Sequence, residues 1–479
     1  GCARRRNAAN RYAPEMNATR FRNAAVILTV ALFTSSCGMT DVVSGWFSSP
    51  TKSKLRGERI SVMTIDETLR IDPSLKGVAV VLPPPYKNAE WPEPGGYASN
   101  AMHHLEATGP LRQVWEQDAG KSSDTSSRLT AAPVVAGGRI FVLDSAAHVF
   151  AFDAGSGNPL WDRSLAPVGK DDSYLFGLFG NDGTVDASKG FGGGVAFDDG
   201  KVFATSGFGD VIALDARSGK VLWKQSLGVP IVNAPAANGG RVFVSTQENH
   251  FYALAQVDGR RLWDHQGISE SAGLLESTSA AISGEYVMAP YSSGEIYALR
   301  VQNGRPAWND MLTHSGVATA LSELDDIAGR PVVDRDIVYV ISHSGIMAAI
   351  SINTGDRLWS RDIGGIQTPW AAGDYVYVLT TDEQLICLTR KEGKVKWIHQ
   401  LQRWDDPDAK KGAIVWAGPV LVSDRLVVVS SKGLAAAVSP YTGELLGKME
   451  IPSGTFISPV VANGMMYLYT SNAELVALR

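Results

Sequence analysis

One short phrase recurs seven times in this chain: a β-rich run, a glycine, three residues and then, in all copies but the last, a tryptophan. It reads Gly157-Asn-Pro-Leu-Trp161, Gly219-Lys-Val-Leu-Trp223, Gly259-Arg-Arg-Leu-Trp263, Gly304-Arg-Pro-Ala-Trp308, Gly355-Asp-Arg-Leu-Trp359 and Gly393-Lys-Val-Lys-Trp397. The last copy, Gly443-Glu-Leu-Leu-Gly447, has lost its Trp. Successive glycines lie 38 to 62 residues apart, the spacing of propeller blades rather than of independent domains. A repeat of this size cannot bury its apolar face alone, so the copies must stack into one large architecture.

Each unit opens with a strand, a tight turn and a second strand, as in Ala132-Pro-Val-Val-Ala-Gly-Gly-Arg-Ile-Phe-Val142. The turn residues Gly, Asn and Asp tolerate the positive φ that short hairpins require. A third strand follows, for example Asp210-Val-Ile-Ala-Leu-Asp215, with Val211 and Ala213 on one face and Ile212 and Leu214 on the other. Two apolar faces suit a sheet sandwiched between neighbours. Asp215 and Gly219 then shape the turn, Asp by bonding backbone and Gly by accepting a left-handed conformation. The Trp beyond them is large enough to fill the gap between adjacent twisted sheets.

Eight opening hairpins run from Pro133 to Pro459. The last unit ends at Leu475-Val-Ala-Leu478 without a fourth strand, whereas Leu111-Arg-Gln-Val-Trp115 precedes the first hairpin with the missing strand's pattern. The expectation is an all-β, eight-bladed propeller of four-stranded antiparallel blades over residues 108–479, closed by this N-terminal strand. A seven-bladed ring requires one copy to be spurious.

Ahead of the repeats the character changes. Residues 1–36 carry six Arg and one acid, and the remainder carries 38 basic against 48 acidic residues. So acidic a body is poorly suited to nucleic acid. The first Met is Met16, and residues 1–15 read as sequence upstream of the start. Arg20 and Arg22, the apolar run 24–33 and the small residues 34–36 then have the form of a secretory signal, too short to span a bilayer. Cys37 directly after small residues resembles a lipoprotein acylation site, with ordinary signal cleavage as the alternative; Gly38 after it points to the outer membrane. Residues 37–107 have no strong period and contain Pro83-Pro-Pro85 and Trp91-Pro-Glu-Pro-Gly-Gly96, which reads as an extended linker. Within it, Ile60–Ile65 has the character of a short strand. Cys387 lies in an apolar strand and reads as a small buried hydrophobe.

The unit [L/V]-x-A-L-D-x-x-[T/S]-G-x-x-x-W over residues 108–479 resembles the repeat of quinoprotein (PQQ-like) propellers. Two functional classes share it: PQQ-dependent dehydrogenases, and the BamB family of lipoproteins in the outer-membrane β-barrel assembly machine. The dehydrogenase class implies a Ca²⁺ site, a catalytic Asp and often vicinal cysteines. This chain has no vicinal cysteines, and Asn181–Asp186 lacks the further ligands of a calcium loop. Gly190-Phe-Gly-Gly-Gly194 precedes a strand and so does not cradle phosphate. His148, His250 and His343 stand at repeat positions and read as structural. No catalytic, cofactor or metal residues are therefore assigned, and a ligand-binding periplasmic propeller stays open as a further alternative.

The BamB resemblance is carried by Gly273-Leu-Leu-Glu-Ser-Thr278 and Leu321-Ser-Glu-Leu-Asp-Asp-Ile-Ala-Gly-Arg-Pro331. In that family the corresponding segments dock the POTRA domains of BamA. The implied contacts are Leu274, Leu275 and Glu276 in the first and Leu324, Asp325 and Asp326 in the second. The family's Arg in the first segment is Leu or Glu here, and a second Asp downstream is Ala328. The resemblance further implies a non-catalytic scaffold, lipid-anchored through Cys37 at the periplasmic face of the outer membrane, with outer-membrane β-barrel proteins as clients.

Overall fold

Strand pairing follows the repeat copy by copy. In a computed structural model, which describes residues 69–107, 109–124, 127–167, 192–269, 278–313 and 326–479, the chain forms eight four-stranded antiparallel sheets. Seven are built from consecutive strands within residues 134–164, 194–226, 236–266, 281–311, 332–362, 370–400 and 416–450, numbered here blades one to seven. Blade eight combines Val460–Ala462, Met465–Tyr469 and Glu474–Leu478 with Gln113–Asp118 as its outermost strand. The closing strand pairs Glu116 with Val476 and Asp118 with Glu474; it begins two and ends three residues beyond the segment Leu111–Trp115 expected from the repeat. The first strands of successive blades neighbour one another around the axis. A small hairpin, Trp404–Asp406 with Lys411–Ala413, is inserted between blades six and seven.

The third strands are buried on both faces, as their double apolar pattern requires; all of Asp210–Leu214 is inaccessible. In the turn that follows, Asp215 Oδ1 accepts from the Ser218 amide (2.8 Å) and hydroxyl (2.6 Å). These bonds hold its carboxyl below the usual range, because they favour the charged form. Gly219 has φ +66°, and an added Cβ would lie 2.6 Å from the Trp161 ring of the preceding blade. The glycine thus supplies both the left-handed turn and the room for a neighbour's indole. Trp161 Nε1–H donates to the Ala216 carbonyl of blade two (3.1 Å). The same bond joins Trp223 to Gln256 (2.8 Å), Trp263 to Val301 (2.9 Å), Trp308 to Ile352 (2.6 Å), Trp359 to Arg390 (2.8 Å) and Trp397 to Pro440 (3.1 Å). Each Trp is therefore a rivet from one blade into the next.

Residues 69–107 differ from the extended linker expected of them. They form a strap packed on the ring, in one compact unit with it. The strap enters beside blade six, where the Asp72 amide donates to Val395 O (2.9 Å) and Lys396 Nζ to Leu75 O (2.8 Å). It then makes a circuit of the innermost strands. Asn88 bonds Val461 and Asn463 of blade eight; Trp91 exchanges both backbone bonds with Val135 of blade one. Pro92 O accepts from Phe197 in blade two, and Glu93 Oε1 accepts from the Ala237 amide in blade three (3.0 Å). Ala98 O and Ser99 O accept from Ile282 and Val333 in blades four and five. His103 O accepts from Trp370 Nε1 in blade six (2.7 Å), and Leu105 bonds Leu421 and Ser423 in blade seven. Trp91, Met102 and Leu105 are buried, and Trp91 stacks on Trp370. The chain then leaves through Gly109 to become the closing strand. Because the strap meets a different blade every few residues, it has no period to read.

Candidate functional site

Antiparallel blades give the ring two unlike faces. First-to-second hairpins and third-to-fourth turns emerge on one; second-to-third turns and blade-to-blade connections emerge on the other. The strap bonds the first strands beside their hairpins, and so covers the centre of the first face. The strands that flank the longest connections, 165–193, 267–280, 312–331 and 401–415, end and begin on the opposite face. The described flanks of both BamB-like segments leave their blades on that face.

Of the six contact candidates, Leu274, Leu275, Glu276, Leu324 and Asp325 lie outside the described residues, as do Cys37, Ile60–Ile65 and the calcium-like run Asn181–Asp186. Asp326 is described, and only 7% of it is exposed. Its carbonyl accepts from the His343 amide (3.0 Å), tying it to blade five. The flanks of the two segments meet at one turn, Tyr291–Glu295 of blade four. On the first flank, the Ile268 amide donates to Glu295 Oε2 (2.7 Å) and the Ile268 carbonyl accepts from Asn249 Nδ2 (2.6 Å). On the second, the Leu312 amide donates to Gly294 O (2.8 Å) and the Ile327 amide to Tyr291 O (3.4 Å).

The turn itself is braced. Asn249 Oδ1 accepts from the Ser292 amide (3.1 Å) and hydroxyl (2.9 Å), and Ser293 Oγ donates to Glu295 Oε2 (2.8 Å). The Tyr291 hydroxyl bonds His265 Nδ1 (2.7 Å). Burial pushes the Tyr291 phenol up and holds His265 below the usual imidazole value, so both are neutral near pH 7. This is a hydrogen-bonded footing for two loops. No single residue type in the sequence announced it: Asn249, Tyr291 and Glu295 converge only when blades three and four are side by side.

The other chemistry-bearing residues are absorbed into the architecture. His148 and His250 begin third strands and His343 lies in the turn before one; His250 Nε2 bonds Asp264 (2.7 Å) and Nδ1 the Tyr252 hydroxyl (3.1 Å). His104 is buried in the strap, accepting from the Asp424 amide at Nε2 (3.0 Å) with Nδ1 on Pro83 O (2.7 Å). Cys387 is fully buried and its thiol pushed up by desolvation, which keeps it unreactive. Gly194 opens a strand, as expected. Between the strap's Trp91 and Pro94 and the connections bearing Arg330, Gln367, Phe456 and Ser458 lies a cavity of about 40 Å³.

Comparison with known proteins is consistent along the whole ring. The family described as outer membrane protein assembly factor BamB matches residues 98–175, 180–399 and 401–479. BamB of Moranella endobia is 23% identical over 374 residues, covering 77% of this chain and 90% of that protein. BamB of Yersinia pestis is 23% identical over 367 residues, covering 76% and 88%. Among solved structures, BamB from Moraxella catarrhalis aligns with TM-score 0.61 at 18% identity over 77% of this chain and 99% of that one. A europium-containing methanol dehydrogenase aligns with TM-score 0.59 at 16% identity, over 79% and 89%, and shares the fold. The matches to the family reach from the strap's inner half to the last strand of blade eight, and the chain belongs to the family of the outer membrane protein assembly factor BamB.

Proposed function

We propose that this chain is a non-catalytic scaffold component of the outer-membrane β-barrel assembly complex. It docks the POTRA domains of BamA through the segments Gly273–Thr278 and Leu321–Pro331 and so assists insertion of outer-membrane proteins. The observation that carries this reading is the shared footing at Tyr291–Glu295, from which the flanks of both segments depart. Two loops rooted on one rigid turn lose little ordering entropy on binding. Leu274, Leu275 and Leu324 then supply an apolar centre, with Glu276 and Asp325 orienting toward basic partner groups. Asp326, being buried, is assigned to holding the second root. Acylation at Cys37 places the body at the periplasmic face of the outer membrane.

The test is binding of the purified full chain to recombinant BamA POTRA domains by calorimetry. Wild type is expected to bind, and Leu275→Ala with Asp325→Ala to weaken binding at least tenfold. Unchanged affinity in the double variant removes these contacts from the reading; no binding by the wild type removes the reading itself. Palmitate labelling that persists in Cys37→Ser would separately dismiss the anchor.

A further inference from the structure

The seventh copy of the repeat, Gly443 to Gly447, breaks the pattern in two places at once. Across each blade one row of paired residues runs from the innermost to the outermost strand. It reads Val134, Phe141, Ala151, Trp161 in blade one and Val460, Tyr467, Ala477, Trp115 in blade eight. Blades two to six keep the ring and the Trp of this row, with Met288 in place of the ring in blade four and with Trp370 and Cys387 at the first and third positions of blade six. Blade seven alone reads Val420, Val427, Ala437, Gly447. Two large side chains are missing from a single row, on the side where each other Trp meets the next blade.

What faces that row also differs. Elsewhere the indole packs on the third-to-fourth turn of the following blade. In blade eight no such turn exists, because its third strand ends at Leu478 and its fourth comes from Gln113–Asp118. The space is a cavity of about 230 Å³, walled by Val427, Ala437, Gly447 and Met449 of blade seven and by Pro110 and Leu111 at the approach to the closing strand. Nothing lies within 4 Å of where a Cβ on Gly447 would stand. Leu446 at the lip is 55% exposed. Arg425 also lines the space, with Nη2 directed to the carbonyls of Ala107 (3.4 Å) and Gly109 (3.3 Å).

We infer that the junction of blades seven and eight is a binding slot for a planar aromatic ring of indole size, supplied by another molecule. The equivalent position in the seven other blades carries a Trp of the chain itself, so the face that blade seven offers is one on which an indole lies elsewhere, while the far wall here is formed by Pro110 and Leu111 instead of a turn. Apolar cavities left by a missing large side chain bind aromatic guests, and the Arg425 guanidinium offers a cation–π contact. The inference is independent of the proposed assembly role.

The test titrates the full chain with indole, following thermal unfolding and saturation-transfer NMR. It is repeated with a short peptide bearing one central Trp and with its Trp→Ala counterpart. Wild type is expected to gain thermal stability with indole. Gly447→Trp is expected to unfold at higher temperature without ligand and to bind indole at least tenfold more weakly. Val427→Phe and Gly447→Leu narrow the same space and serve if Gly447→Trp does not fold. Competition with indole by the Trp peptide but not the Ala peptide assigns the natural guest to a polypeptide side chain; binding of indole alone assigns it to a free small molecule. Either outcome supports the slot. No response in wild type, or equal responses in wild type and the filled variants, overturns it.

Discussion

The blades and the strap are held by opposite means. A blade repeats one set of contacts, a Trp driven onto the glycine turn of its neighbour, from Trp161 on Gly219 to Trp397 on Gly443. The strap repeats nothing: a backbone pair at Trp91, a carboxylate at Glu93, carbonyls at Ala98 and Ser99, and an indole bond at His103. Repetition spreads stability evenly and couples neighbours, whereas a set of dissimilar contacts can be released together without opening any blade. The ring is therefore expected to unfold as one cooperative body, and the strap as a separate, weaker unit lying on it.

The largest effect that bears on this contrast belongs to Trp359→Ala. It removes a buried indole and its bond to Arg390 beside the buried Asp334–Arg390 ion pair. A loss of about 3–5 kcal/mol is expected for such a truncation, read as a fall in the global denaturant midpoint. Trp91→Ala deletes an equally buried ring from the strap. Its consequence should be confined to faster amide exchange and proteolysis of residues 69–107, with a global shift under about 1 kcal/mol. If Trp91→Ala lowers the global midpoint as far as Trp359→Ala does, the two regions are one cooperative unit and the contrast fails.

Titration sharpens the same point. Glu93 is fully buried in the strap, and desolvation holds its carboxyl well above the usual range. Such a group binds its proton when docked and ionises when released, so docking weakens as pH rises past the ordinary carboxylate value. Glu93→Gln should abolish this slope in the exchange of residues 69–107 and leave blade exchange unaltered. Glu383, in a turn of blade six, is pushed up by burial to about 7 from 4.5, opposed by its bond from the Trp416 amide. Below about pH 4.5 it is protonated folded or unfolded; between there and 7 only the unfolded chain ionises, so ring stability falls as pH rises across that window. Glu383→Gln is expected to flatten this modest slope in thermal melts without touching the strap.

How much was legible depended on repetition. The turn of Asp215 and Gly219, the doubly buried strand Asp210–Asp215 and the closing strand before the first hairpin could all be read, because each is a local pattern seen in several copies. Three things escaped. The strap looked like linker because proline and glycine usually mark chain that binds nothing, yet here Gly96, at φ +111°, lets the backbone pass against Met102. Buried Asn88, Glu93 and Asn100 beside Trp91 and Met102 were the signal that could have exposed it. Asp326 looked like a surface carboxylate and is buried. The lost Trp of the seventh copy was plain in the sequence, but nothing there paired it with Val427 in the same row.

The amino-acid sequence alone determined the number of blades, their strand order, the riveting Trp and the way the ring closes, since these follow from side-chain period, turn chemistry and copy number. Tertiary structure alone decided that residues 69–107 make a circuit of the first strands, that the flanks of two distant segments share the Tyr291–Glu295 footing, and that one junction is left hollow. Those outcomes depend on which residues face one another across blades dozens to hundreds of positions apart, and no local pattern carries that information.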